Sequence, residues 1–112
     1  MNRDPQIFLK HIRDSINDIE TYIKNVTLEE FLEYKNKEKQ DAVVRRIEII
    51  GEAARNIPDD FKKNYHDISW REIAGMRNKL IHEYFGVDLE LVWEVVKNDI
   101  PQLKKRLEKI LK

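Results

Sequence analysis

An all-α fold is what this 112-residue chain predicts. Three observations carry the prediction. Apolar side chains recur every three or four positions, glycine and proline occur only three times each, and no alternating run is long enough for a useful strand. The expected architecture is an antiparallel bundle of about five helices, forming a single domain over residues 1–112, since a chain of this length supports one core.

The elements follow in order. From Pro5 to about Val26, Ile7, Phe8, Ile12, Ile16, Ile19, Tyr22 and Ile23 keep helical spacing, which makes one long helix with a single buried stripe. Pro5 falls in its first turn, where a missing N–H is harmless. Thr27-Leu28-Glu29-Glu30 reads as a capping box opening a short helix to about Tyr34. The polar stretch Lys35 to Gln40 is either a loop or the frayed start of the next helix. Asp41 to about Asn56 is a third helix with Val43, Val44, Ile47, Ile50, Ala53 and Ala54 inward, and Pro58 ends it. Gly51 inside that helix costs about 1 kcal/mol relative to alanine, which close approach of another helix would justify. Asp59 to His66 is a short helical turn and loop. Ser69-Trp70-Arg71-Glu72 is a second capping box, starting a fourth helix that runs through residues 77–84 to a breaker at Gly86. Asp88 caps a fifth segment with Leu89, Val92, Trp93 and Val96 inward. Asp99-Ile100-Pro101 either kinks this helix or restarts it through Leu111.

Composition narrows the function. Charged residues make up 38% of the chain and hydrophobic ones 41%, a balance that fits amphipathic helices with solvated outer faces. Net charge is zero, so any nucleic-acid contact is local rather than a broad basic surface. The absence of cysteine removes disulfides and cysteine-ligated zinc. No apolar run approaches the ~18 residues of a membrane span. The amino terminus leads straight into a charged amphipathic segment unlike a signal peptide, so a cytoplasmic protein is expected.

Chemistry concentrates in Arg77-Asn78-Lys79-Leu80-Ile81-His82-Glu83-Tyr84. Arginine clamps phosphate, and histidine exchanges a proton near neutral pH. Together they can cleave a phosphodiester without a metal or cofactor. His82 would take the proton of a ribose 2′-OH or deliver one to the leaving 5′ oxygen, while Arg77 stabilises the phosphorane and Asn78 orients the imidazole or a phosphate oxygen. A 2′-OH nucleophile restricts the substrate to RNA, with no DNA expected. On a regular helix, however, Arg77 and His82 stand about 140° apart. Either the helix ends near His82, or two copies pair so that the two groups converge across a twofold axis.

The spacing Arg77-x-x-x-x-His82-x-Tyr84, with Asn78 after the arginine, resembles the signature of HEPN-domain ribonucleases, and among them HepT-type toxins. Asp41–Arg46, Ile49–Ala54, Ile68–Met76 and Phe85–Asp88 are similar to the same family's pattern. The resemblance implies a homodimeric RNA-cleaving toxin encoded beside a nucleotidyltransferase antitoxin. It also implies that the antitoxin transfers AMP to Tyr84 and silences the nuclease, a bulky anion beside Arg77 filling the phosphate site. The competing reading is a non-catalytic helical dimer that binds the nucleotidyltransferase or a nucleotide, which the zero net charge favours.

Other candidates are weaker. Glu52, next to Gly51, either orients Arg77 or His82 or forms a solvated salt bridge. His11 belongs to a charged face, and His66 lacks the further ligands that a metal site needs. Trp70 and Trp93 are core or interface anchors. Lys104, Lys105, Arg106 and Lys109 form a solvated basic face on the last helix.

Overall fold

In the computed structural model, residues 4–82 and 86–112 are described. Helix α1, Pro5–Ile23, opens with Asp4 as its cap, whose side chain accepts from the Gln6 N–H at 2.9 Å. Its fully buried stripe is Leu9, Ile12, Ile16 and Ile19, and it lies along the longest helix, α3, Lys37–Asn56. Between them, α2 spans Leu28–Leu32. Both halves of the expected capping box form: the Glu30 N–H donates to Thr27 Oγ1 at 3.2 Å and the Thr27 N–H to Glu30 Oε1 at 3.0 Å. These bonds hold the Glu30 carboxyl below the usual carboxylate range.

The ambiguous polar stretch resolves as a 3₁₀ turn, Tyr34–Asn36, running into the first turn of α3. Gln40, a buried polar side chain, donates to the carbonyls of Phe31 at 2.7 Å and Glu33 at 3.1 Å and so ties α2 to α3. Burying an amide is tolerable only with such partners.

After α4, Asp59–Lys63, the chain reaches α5, Trp70–Ala74, and α6, Met76–Leu80, with Gly75 as the break between them. Trp70 is a core anchor whose indole N–H donates to the Tyr65 carbonyl at 3.1 Å. Three expectations fail here. The second capping box does not form, because Ser69 makes no side-chain cap bond. The fourth helix does not run through residues 77–84. It stops at Leu80, and Ile81–His82 (β1) pairs antiparallel with Gly86–Val87 (β2), register Ile81↔Val87 and His82↔Gly86. Gly86 therefore serves a strand at φ +77° rather than breaking a helix.

The last segment comprises α7, Leu89–Glu94, a π turn at Val95–Asp99, and α8, Ile100–Glu108, which follow one another without a gap. Asp88 caps it as expected, accepting from the Leu91 N–H. Pro101 has no N–H to give the preceding turn, and the wider π register upstream accommodates it without ending the helix. Val92, Val95, Val96, Ile100, Leu103 and Leu107 stay in the core. Trp93 packs on Phe31 with ring centroids 5.2 Å apart. Lys104 on α8 donates to Glu20 on α1 at 2.7 Å, and that carboxylate raises the ammonium above the usual lysine value. The outcome is an all-α helical bundle around one hydrophobic cluster, with a single β-bridge pair among the described residues. No helix among the described residues is long and apolar enough to cross a membrane.

Candidate active site

A glycine sets the position of the motif. A Cβ on Gly51 would lie 3.2 Å from the Ala74 carbonyl oxygen and 3.3 Å from that of Ile73, so α5 rests on α3 closely enough that any side chain there would have to push it back by a few tenths of an ångström. Arg55, one turn further along α3, donates from Nη2 to the same Ala74 carbonyl at 3.2 Å. The C-terminus of α5 is thereby fastened to α3, and the chain turns at Gly75 into α6. Within α6, Met76 and Leu80 face the core, which leaves Arg77 and Asn78 exposed on the side toward α3.

Arg77 Nε donates to Glu48 Oε2 at 3.1 Å. The guanidinium is about half exposed (49%) and the carboxylate less so (29%). Among the described residues, none accepts from either terminal amino group of Arg77, while Nε is held by Glu48. The pair lines a cavity of about 330 Å³ with Arg45, Gly51, Glu52, Arg55, Ala74 and Asn78. Three guanidiniums against two carboxylates make this a locally cationic place on a chain with no net charge.

The expected site residues are brought together in part. Arg77, Asn78 and Glu52 line the same cavity. Of the two carboxylates, Glu48 is the one in contact with Arg77, and Glu52 pairs with Arg55 at 2.6 Å. Glu48, Arg45 and Arg55 were missed from the sequence, although Arg45, Glu48, Glu52 and Arg55 recur at helical spacing on one face of α3.

For His82, the backbone is extended rather than helical, so the 140° separation from Arg77 does not hold. The Asp88 N–H donates to the Leu80 carbonyl at 2.9 Å, closing the β-bridge just where α6 ends. Tyr84, the expected adenylylation site, lies outside the described residues. His11 is exposed on α1 and meets Phe8 edge-on, 6.3 Å between ring centroids. Among the described residues, no three histidine or carboxylate side chains are grouped to hold a metal.

Comparison with known proteins yields a consistent set. The family described as Ribonuclease HepT-like matches residues 12–110. A Thermococcus cleftensis protein named "Probable ribonuclease HepT" is 48% identical over 112 residues, covering all of both chains. A Methanocaldococcus jannaschii protein named "Gamma-glutamylcyclotransferase and putative RNase" is 53% identical over 111 residues, 99% of this chain. The chain spans about half, 49%, of that relative's length. A "Putative RNase" of Caldanaerobacter subterraneus is 40% identical over 109 residues, 97% of this chain and 96% of that one. No solved structure matches.

Proposed function

We propose, for a chain that belongs to the ribonuclease HepT-like family and is an endoribonuclease of it, that cleavage runs without a metal through Arg77 and His82. The observation that carries this reading is the Arg77–Glu48 pair. It holds the guanidinium by Nε, without an acceptor for either terminal amino group among the described residues, in the lining of a cationic cavity.

In the proposed reaction, the ribose 2′-OH attacks the adjacent phosphorus as His82 removes its proton. The P–O5′ bond breaks, the 5′ oxygen takes a proton from an imidazolium, and the products are a 2′,3′-cyclic phosphate and a 5′-hydroxyl. Arg77 bears the extra negative charge of the phosphorane, and Asn78 orients a phosphate oxygen or the imidazole. Two copies pair as a homodimer, so that acid and base are divided between symmetry-related histidines.

In the cell the protein acts in the cytoplasm as the toxin of a toxin–antitoxin pair. Its partner nucleotidyltransferase silences it by adenylylation, in which the Tyr84 phenol oxygen attacks the α-phosphate of ATP and pyrophosphate leaves. Intact mass after incubation with that partner and ATP gains one adenylate on the wild type and none on Tyr84→Phe. Adenylate on both would remove Tyr84 from the scheme.

The test of the nuclease is cleavage of total RNA by purified wild type, Arg77→Ala and His82→Ala, with and without EDTA. New fragments from wild type alone, undiminished by EDTA, are expected. Equal RNA patterns from all three folded proteins favour the second reading, a non-catalytic dimer binding a nucleotidyltransferase or nucleotide, toward which the zero net charge leans.

A further inference from the structure

Two cavities adjoin along the outer face of α3 and share Arg45 and Glu52. One is the 330 Å³ cavity of Arg77. The other, about 220 Å³, lies between α3 and α1 and is edged by Phe8 and His11. The charges along this path are unequal. Arg55 is held by Glu52 and Arg77 by Glu48, whereas Arg45 is exposed and forms no ion pair with any described residue. Glu52, the acidic group at the junction, is occupied by Arg55 at 2.6 Å.

A guanidinium with no counter-ion among the described residues, standing where two cavities meet, suits an anion supplied from outside. A single RNA strand supplies one at every nucleotide, and it needs a route away from the linkage being cut. Toward Arg45 the cavity continues into a second one, which ends at a half-buried phenylalanine and an exposed imidazole. Aromatic rings beside a cationic groove are how single strands are held irrespective of sequence.

We infer that Arg45 binds the phosphate of a nucleotide flanking the scissile linkage, and that the strand crosses α3 to lay a base against the Phe8–His11 edge of α1. This rests on the ribonuclease reading above.

Binding is measured on the His82→Ala protein, with a labelled single-stranded oligoribonucleotide of about ten residues, over a series of salt concentrations. Adding Arg45→Gln weakens binding roughly tenfold and lowers the slope of log affinity against log salt by about 0.7, the share of one phosphate contact on a single strand. Arg71→Gln, an exposed arginine on α5 that lines neither cavity, leaves both quantities in place. With the active protein, Arg45→Gln raises KM for the long oligonucleotide about tenfold and slows cleavage of a dinucleotide far less. His11→Ala follows the same pattern. An unaltered slope in Arg45→Gln, an equal effect from Arg71→Gln, or an equal loss on the dinucleotide overturns the inference while the nuclease stands. A wild type that neither binds nor cuts RNA overturns both.

Discussion

Gly51 and Glu48 are the two side-chain positions on which Arg77 depends. Replacing Gly51 with alanine gains roughly 1 kcal/mol of helix propensity, yet its Cβ meets two backbone oxygens that cannot rotate away. Overpacking of this kind costs about 1–3 kcal/mol, so urea unfolding of Gly51→Ala should show a net loss of about 1 kcal/mol, together with weaker RNA cleavage as α5 and α6 shift. An unchanged midpoint would mean that α5 yields freely. Glu48→Ala tests the other contact. The pair is partly exposed and worth less than about 1 kcal/mol to stability, so melting should hardly change, while kcat falls about tenfold because an untethered guanidinium must be ordered at each turnover. Equal losses in stability and activity would make Glu48 structural only. Sequence alone could not choose between Glu48 and Glu52: four residues apart, they share a helical face, and only the position of α6 over α3 decides which meets Arg77.

At the scale of elements, the caps that sequence shows are unevenly realised. Thr27-Leu28-Glu29-Glu30 forms both reciprocal bonds, and Ser69-Trp70-Arg71-Glu72 forms neither side-chain cap, although both match the same pattern. The difference lies in what anchors each turn: Trp70 is pulled inward and bonds Tyr65, which sets the entry of α5 without Ser69. Thr27→Ala should therefore cost about 1 kcal/mol at neutral pH. That variant loses the bond from the Glu30 N–H to the hydroxyl but keeps the Thr27 N–H bonded to the Glu30 carboxylate, so its cost should not depend on pH. The titrating half belongs to Glu30: because the fold lowers its pKa, its contribution is complete above the ordinary glutamate value and fades as pH falls through the lowered one. Thermal melts of Glu30→Gln and wild type should therefore differ at neutral pH and converge in acid, and a gap that stays constant would show that the carboxylate takes no part. An end of α6 near His82 was one of two alternatives that the sequence left open. Leu80 is followed by isoleucine and histidine, which are only moderately worse helix formers, and it is the bridge from Ile81 and His82 to Gly86 and Val87 that turns the chain.

For the whole molecule, pairing of two copies is the outstanding expectation, and mixing experiments address it directly. If acid and base are divided between the two His82 side chains, wild type and His82→Ala protein, unfolded together in equal amounts and refolded, should give roughly a quarter of wild-type activity, since only the quarter of dimers with two intact histidines cuts. Half the wild-type activity, with dimers demonstrated by sedimentation, would mean that each protomer's histidine acts alone. The bundle itself was readable because its signals are local: the helical spacing of Ile12, Ile16 and Ile19 and of Val43, Ile47, Ile50, Ala53 and Ala54 recurs in the buried set, whereas Ile7 of the expected stripe is exposed and the buried Leu9 lay outside it.

What the sequence by itself determined is the set of helices that bury a stripe, the family, and the segment around Arg77 in which the candidate site lies. Each is written in short-range spacing, which the chain carries however it folds. Only the tertiary structure decided that α6 stops before His82, that Glu48 rather than Glu52 holds Arg77, and that Arg45 stands between two cavities with no ion pair among the described residues. Those outcomes depend on how closely one helix approaches another, and that distance is set by packing around Gly51 rather than by any residue's own preference.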